Sequence, residues 1–157
     1  MLESCHDKEA KQMHASAPPY EVWLENETDT SYMLKLSVEG REMDSIPIPY
    51  PVYRLELADL SGDGIPEVCL GVENRTRYWH EKAKRIHIYK LYHRRYIRPL
   101  WLGSRIGHPL EDFEICRDSV PAYIHTHEMD KEGNKIESLY RLQGFGLKFD
   151  KYMKFKQ

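Results

Sequence analysis

The stretch YRLELADLSGDGIPEVCLGV, residues 53–72, is the part of the chain whose reading settles the fold. Before its centre Tyr53, Leu55 and Leu57 alternate with Arg54 and Glu56; after it Val68, Leu70 and Val72 alternate with Glu67, Cys69 and Gly71. Apolar residues at every second position are the mark of a half-buried β-strand. Between the two strands Asp59, Ser61 and Asp63 fall at alternate positions, followed by Gly64, Ile65 and Glu67. Oxygen side chains at the first, third and fifth loop positions, a glycine at the sixth and a carboxylate at the ninth can wrap a hard cation such as calcium. Gly64 permits the sharp turn, Ile65 offers its carbonyl and Glu67 closes the shell. The same residues also describe a metal-free turn, in which Asp59 and Asp63 accept neighbouring backbone N–H groups.

The loop is not an EF-hand. The closing Glu of that motif would fall where Leu70 stands, and the residues after the loop alternate as a strand instead of repeating as a helix. Asp59, Gly62, Asp63, Gly64 and Glu67, followed by the strand 68–72, resemble the FG-GAP/VCBS type of repeat, whose D-x-D-G-D-G-x-x-D/E loop joins two strands. The chain departs from that pattern at Ser61, where the family prefers Asp or Asn, and the lost carboxylate weakens calcium binding. The resemblance covers about fifteen residues. It implies a blade of the integrin-like β-propeller kind, as found in bacterial envelope proteins, with the loop as a structural staple and no catalytic role.

At 157 residues the chain suits one domain, long enough to bury an ordinary core without a disulfide framework. Lys and Arg total 23 against 25 Asp and Glu, and a net charge of −2 gives no overall attraction to nucleic acid or acidic lipid. The cysteines Cys5, Cys69 and Cys116 are too scattered for a zinc site. Cys69 and Cys116 lie in apolar strand patterns, which suits buried thiols and leaves one disulfide open to them. No stretch approaches the roughly 18 apolar residues of a membrane span.

Residues 1–19 are polar, rich in small residues and end in Pro18-Pro19, which predicts a flexible leader before an all-β domain over 20–157. Leu2-Glu3-Ser4-Cys5 looks like the end of a bacterial lipobox, although Glu3 fits poorly and no apolar segment precedes it. On that reading Cys5 carries a lipid and the protein belongs to the bacterial cell envelope; with a complete N-terminus it would be cytoplasmic. Strand alternation recurs at 20–24, 32–38, 84–92, 96–102, 112–116, 120–128, 136–143 and 145–155, with polar turns between them. Residues 46–49, with Pro47 and Pro49, predict an edge or connecting segment. No helical period is sustained. The fold expected is all-β, a sandwich or a stack of propeller-like four-stranded blades, with 53–102 as one blade, 112–155 as a second, and the first hairpin in a third. So short a chain does not close a propeller.

Three surfaces carry candidate chemistry. Residues 75–98 are basic, with Glu81 the lone acid and aromatic residues interleaved. Arg75, Arg77, Tyr78, Trp79, Arg94 and Arg95 are the candidate contact residues for a protein or glycan partner of the envelope. A nucleic-acid partner is a further alternative, since charge attracts a phosphate backbone and rings stack on bases, and a solvated, charge-protected edge strand accounts for the same residues. His125 and His127 lie two apart on a predicted strand, so both rings face one way. With carboxylates such as Asp112 or Glu128 they make the alternative reading of a metal-dependent hydrolase. Ser104 follows a glycine but lacks the second glycine and the strand-to-helix setting of a nucleophile elbow. The leading expectation is a non-catalytic calcium-loop module holding its cation with Asp59, Ser61, Asp63, Ile65 and Glu67.

Overall fold

The computed structural model describes residues 13–75, 83–103 and 106–153. Twelve strands run in chain order: β1 (His14–Ala17), β2 (Tyr20–Thr28), β3 (Ser31–Val38), β4 (Arg41–Ile48), β5 (Val52–Ala58), β6 (Glu67–Asn74), β7 (Ala83–Tyr92), β8 (Tyr96–Trp101), β9 (Leu110–Cys116), β10 (Tyr123–Met129), β11 (Lys135–Gln143) and β12 (Gly146–Tyr152). They form three four-stranded antiparallel sheets, each built from four consecutive strands in sequence order. There is no helix among the described residues.

The sheets stack, and each gap between them is filled by one hydrophobic core. Val22, Leu24, Leu34 and Leu36 of the first sheet meet Leu55, Leu57, Val68, Leu70, Val72, Tyr89 and Leu91 of the central one. On the other face of the central sheet Cys69, Ile86 and Ile88 meet Phe113, Ile124 and Tyr140 of the third. The central sheet is therefore covered on both sides. This is where β6 departs from the half-buried strand read from its alternation, since Glu67, Cys69 and Gly71 are buried along with Val68, Leu70 and Val72. Its second face is small because a neighbour needs the space: a Cβ placed on Gly71 would lie 2.6 Å from the Tyr53 ring and 3.0 Å from Phe113. Both Cys69 and Cys116 are free thiols, and burial pushes the Cys69 thiol up.

Two boundaries differ from the sequence reading. His14–Ala17, expected in the leader, form β1 and pair with β2. Four residues with two alanines show no strong hydrophobic period, yet Ala15 and Ala17 pack against the first core and His14 bonds Glu21. The edge segment expected at 46–49 begins earlier: the chain turns at Glu39 and Gly40, and β4 pairs with β3 from Arg41 to Ile48. Pro47 is accommodated because β4 is the edge of its sheet.

Candidate functional site

The acidic loop joins β5 to β6 in the central sheet, and its acidic side chains are turned onto its own backbone. Asp59 accepts the N–H groups of Gly62 at 2.8 Å and Gly64 at 2.9 Å. Asp63 accepts that of Ile65 at 2.9 Å. Glu67, only 1% exposed, accepts the N–H of Leu60 at 2.7 Å and the Ser61 hydroxyl at 3.0 Å. Burial pushes the Glu67 carboxyl up, against the hydrogen bonds from Leu60 and Ser61 that favour its ionised form. Burial works the same way on Asp63, but there the Ile65 N–H, the Ser61 hydroxyl and Lys90 outweigh it and hold the carboxyl low. The Lys90 ammonium stands 3.8 Å from Asp63. Asp59, Asp63 and Glu67 do not bring their oxygens to one point as metal ligands do; among the described residues the group that does so lies in the third sheet. As arranged, the loop is a hydrogen-bonded turn.

The loop also ties two sheets together. Leu60, 1% exposed, is set into the core between the central and third sheets. The Ala122 N–H donates to the Asp59 carbonyl at 2.9 Å, and Gly62, at a φ of 85° that suits glycine, lies against Pro121.

The basic stretch is divided by β7. Arg75 is exposed just past the end of β6, where Asn74 pairs with the first residue of β7, whereas Arg94 and Arg95 lie beyond its last. Ten residues of strand separate these ends by roughly 30 Å. Arg77, Tyr78 and Trp79 lie outside the described residues, as does Cys5. Lys84 covers the Tyr53 ring at 4.9 Å, and Arg85 reaches the carbonyls of Asn74 and Gly103. What remains is the β7–β8 hairpin tip, where the run Tyr92, His93, Arg94, Arg95 and Tyr96 is exposed throughout. Arg95 and Arg98 both approach the Tyr96 ring, at 5.9 and 5.0 Å, and Tyr92 packs on His93. Among the described residues Arg94 and Arg95 make no ion pair. His93 and Arg94 hold φ of 53° and 60°, a left-handed conformation that costs a non-glycine residue about 1 kcal/mol each.

On the third sheet His125 and His127 do share a face, opposite the buried Ile124 and Thr126. The carboxylates beside them are Glu114 of β9 and Glu137 of β11. Asp112 is held instead by a two-pronged ion pair with Arg54, both contacts at 3.0 Å. Glu128 points the other way, where its buried carboxylate takes the Thr126 hydroxyl and the His108 N–H. The signal for Glu137 was in the turn at 130–134, which closes β10 onto β11 and sets Glu137 directly across from His127. Glu114, across from His125, depends on the longer 117–122 connection, whose register no short turn dictates.

Glu128, His108 and Tyr140 also floor a groove of about 260 Å³ rimmed by Leu147, Phe149 and Tyr152. Tyr140 accepts the Gly107 N–H at 3.1 Å there.

No family model and no curated protein matches the chain. A solved structure of a Xanthomonas protein, described as related to a type IV secretion system, is similar over 90% of this chain and 80% of its own, at 11% identity and a TM-score of 0.43. A likeness of that size says nothing of what this chain does.

Proposed function

We propose that the protein is a non-catalytic β-module that engages an anionic protein or glycan through the β7–β8 hairpin tip. The observation that carries this reading is the tip itself: five consecutive exposed residues, two guanidinium groups without an ion pair among the described residues, two tyrosines, and left-handed backbone at residues that are not glycine. The left-handed backbone at His93 and Arg94, which Asn-Gly would relieve, fits side chains kept there for contact. Arg offers planar donors to carboxylate or sulfate, and the tyrosines offer flat faces to sugar rings or apolar stems. In this reading the acidic loop is a staple for the central and third sheets. Its likeness to the FG-GAP/VCBS loop is one of strand-loop-strand shape, and the calcium requirement of that family is relaxed by Ser61 and by the inward-turned Glu67.

Thermal unfolding in excess EDTA and across a calcium titration, with magnesium as control, tests the staple. The expected result is one melting temperature in all conditions. A saturable calcium-specific rise would instead restore the cation to Asp59, Ser61, Asp63, Ile65 and Glu67, since a ligand at 100 times its dissociation constant adds about 2.7 kcal/mol. Retention on immobilised heparin and on polyglutamate tests the tip, with a single-stranded oligonucleotide as competitor. Retention that salt weakens and the oligonucleotide does not abolish is the expected outcome.

A further inference from the structure

We propose that the outer face of the third sheet is a binding site for a divalent transition cation of the zinc class, with Glu114, His125 and His127 as its ligands and Glu137 as their positioning residue. This is independent of the hairpin-tip reading. The ligand atoms of Glu114, His125 and His127 all lie within 4.8 Å of one another. A tetrahedral zinc with bonds of about 2.0–2.1 Å sets its ligand atoms roughly 3.3 Å apart. His125 Nδ1 is 3.6 Å from Glu114 Oε1, and His127 Nε2 is hydrogen-bonded to the same oxygen. A cation seated there would replace the proton between His127 Nε2 and Glu114 Oε1 and draw His125 Nδ1 closer.

The far side of each imidazole is what separates this cluster from a chance group of surface charges. His125 Nε2 lies 2.6 Å from Glu137 Oε1, and His127 Nδ1 lies 3.6 Å from Glu137 Oε2. Each ring thus turns one nitrogen toward Glu114 and the other toward Glu137. A carboxylate behind the ligating imidazole, fixing its tautomer and orientation, is the usual partner of a metal-bound histidine. Here one carboxylate is hydrogen-bonded to His125 and faces His127 from 3.6 Å, the two rings having centroids 4.7 Å apart. The strands β9, β10 and β11 hold all four residues in register, so their side chains are neighbours before an ion arrives. Two imidazoles and one carboxylate leave the fourth tetrahedral position open on the solvent side, the ligand count of zinc sites that accept water or another small donor.

The test uses the full chain, stripped with a chelator and titrated with zinc against a chromogenic competitor, and with cobalt for its visible spectrum. One equivalent is expected to bind with a tetrahedral cobalt spectrum, and to be lost in His125→Ala/His127→Ala and in Glu114→Gln. Glu137→Gln should keep the spectrum while weakening affinity about 10- to 100-fold. All these side chains lie on the sheet face away from the core, and unchanged melting temperatures would check that each variant folds. The proposal is overturned if the parent chain binds zinc no better than the double variant. It is overturned equally if Glu114→Gln binds like the parent while Glu137→Gln abolishes binding, which would put the ion on the other side of the rings.

Discussion

A methyl group has no room at position 71. The Tyr53 ring is 2.6 Å from where the new carbon would sit, in the part of β6 buried from Glu67 to Val72, so either the ring or the strand must move. Gly71→Ala should therefore cost about 1–3 kcal/mol, the usual range for overpacking, read as a lower denaturation midpoint at unchanged slope. His87 sits one strand away with both ring nitrogens buried and without a hydrogen-bond partner among the described residues, edge-on to Tyr50 at 5.4 Å. Burial, aided by the charge of Arg85, depresses its pKa to about 4 from an ordinary value of 6.5. The unfolded chain then takes up the proton first as pH falls. Stability should be lost between pH 6.5 and about 4, by up to about 3 kcal/mol from this residue. His87→Leu should flatten that limb of the pH–stability profile and leave neutral stability equal or higher. Neither effect was legible in the sequence, where Gly71 and His87 occupy unremarkable places on alternating strands. Both arise because the central sheet is covered twice, a property of the stack and not of the strand.

At the scale of the element, the acidic loop was the most legible part of the chain and also the most ambiguous. Asp59, Ser61, Asp63 and Gly64 announce a tight acidic turn between two strands, and β5 and β6 flank it as the alternation predicts. Spacing alone could not say which way the oxygens face. The ninth residue decides this, because a Glu at position 67 is long enough to fold back onto Leu60 and Ser61. Glu67→Ala should leave those N–H groups unsatisfied and cost about 2 kcal/mol or more. Glu67→Gln should stay within about 1 kcal/mol of the parent, since its carbonyl can accept the N–H bonds and its amide can donate to Ser61. The raised carboxyl of Glu67 gives the matching pH sign: its contribution is fully present below the ordinary Glu range and is lost as pH rises through the folded value. The glutamine should therefore gain on the parent as pH rises through that range. The β7–β8 hairpin was legible only as composition. A run of basic residues reads as one patch in a sequence, but an intervening strand places Arg75 and Arg94 at opposite ends of β7.

The whole molecule repeats one unit three times, a four-stranded meander, and the turns between strands announced most of it in advance. The blades read at 53–102 and 112–155 match the central and third sheets closely, because polar turns and period-two strands are local signals. How the sheets stack is not local: the spacing of His125 and His127 puts both rings on one face, but it does not say that Glu114 of β9 comes to stand beside them. In the stack the hairpin tip lies clear of both cores, whereas Ile97 beside it is buried and its N–H is held by Asp44 of β4 at 2.8 Å. The tip can therefore be altered without disturbing the packing that supports it. Removing Arg94 in favour of glycine should relieve left-handed strain and raise stability by up to about 1 kcal/mol.

The most direct measurement is the affinity of Arg94→Gly/Arg95→Ala for heparin and polyglutamate, set beside its melting temperature and compared with the parent chain at low and at physiological ionic strength. A tip that serves as the contact surface predicts a variant that melts at or above the parent temperature and binds roughly five- to thirtyfold more weakly, the loss of about 1–2 kcal/mol from two guanidinium contacts. The difference should shrink as salt screens the attraction. A variant that binds both probes as tightly as the parent, or a parent chain that binds neither, would contradict the assignment of the hairpin tip as the working surface of this protein.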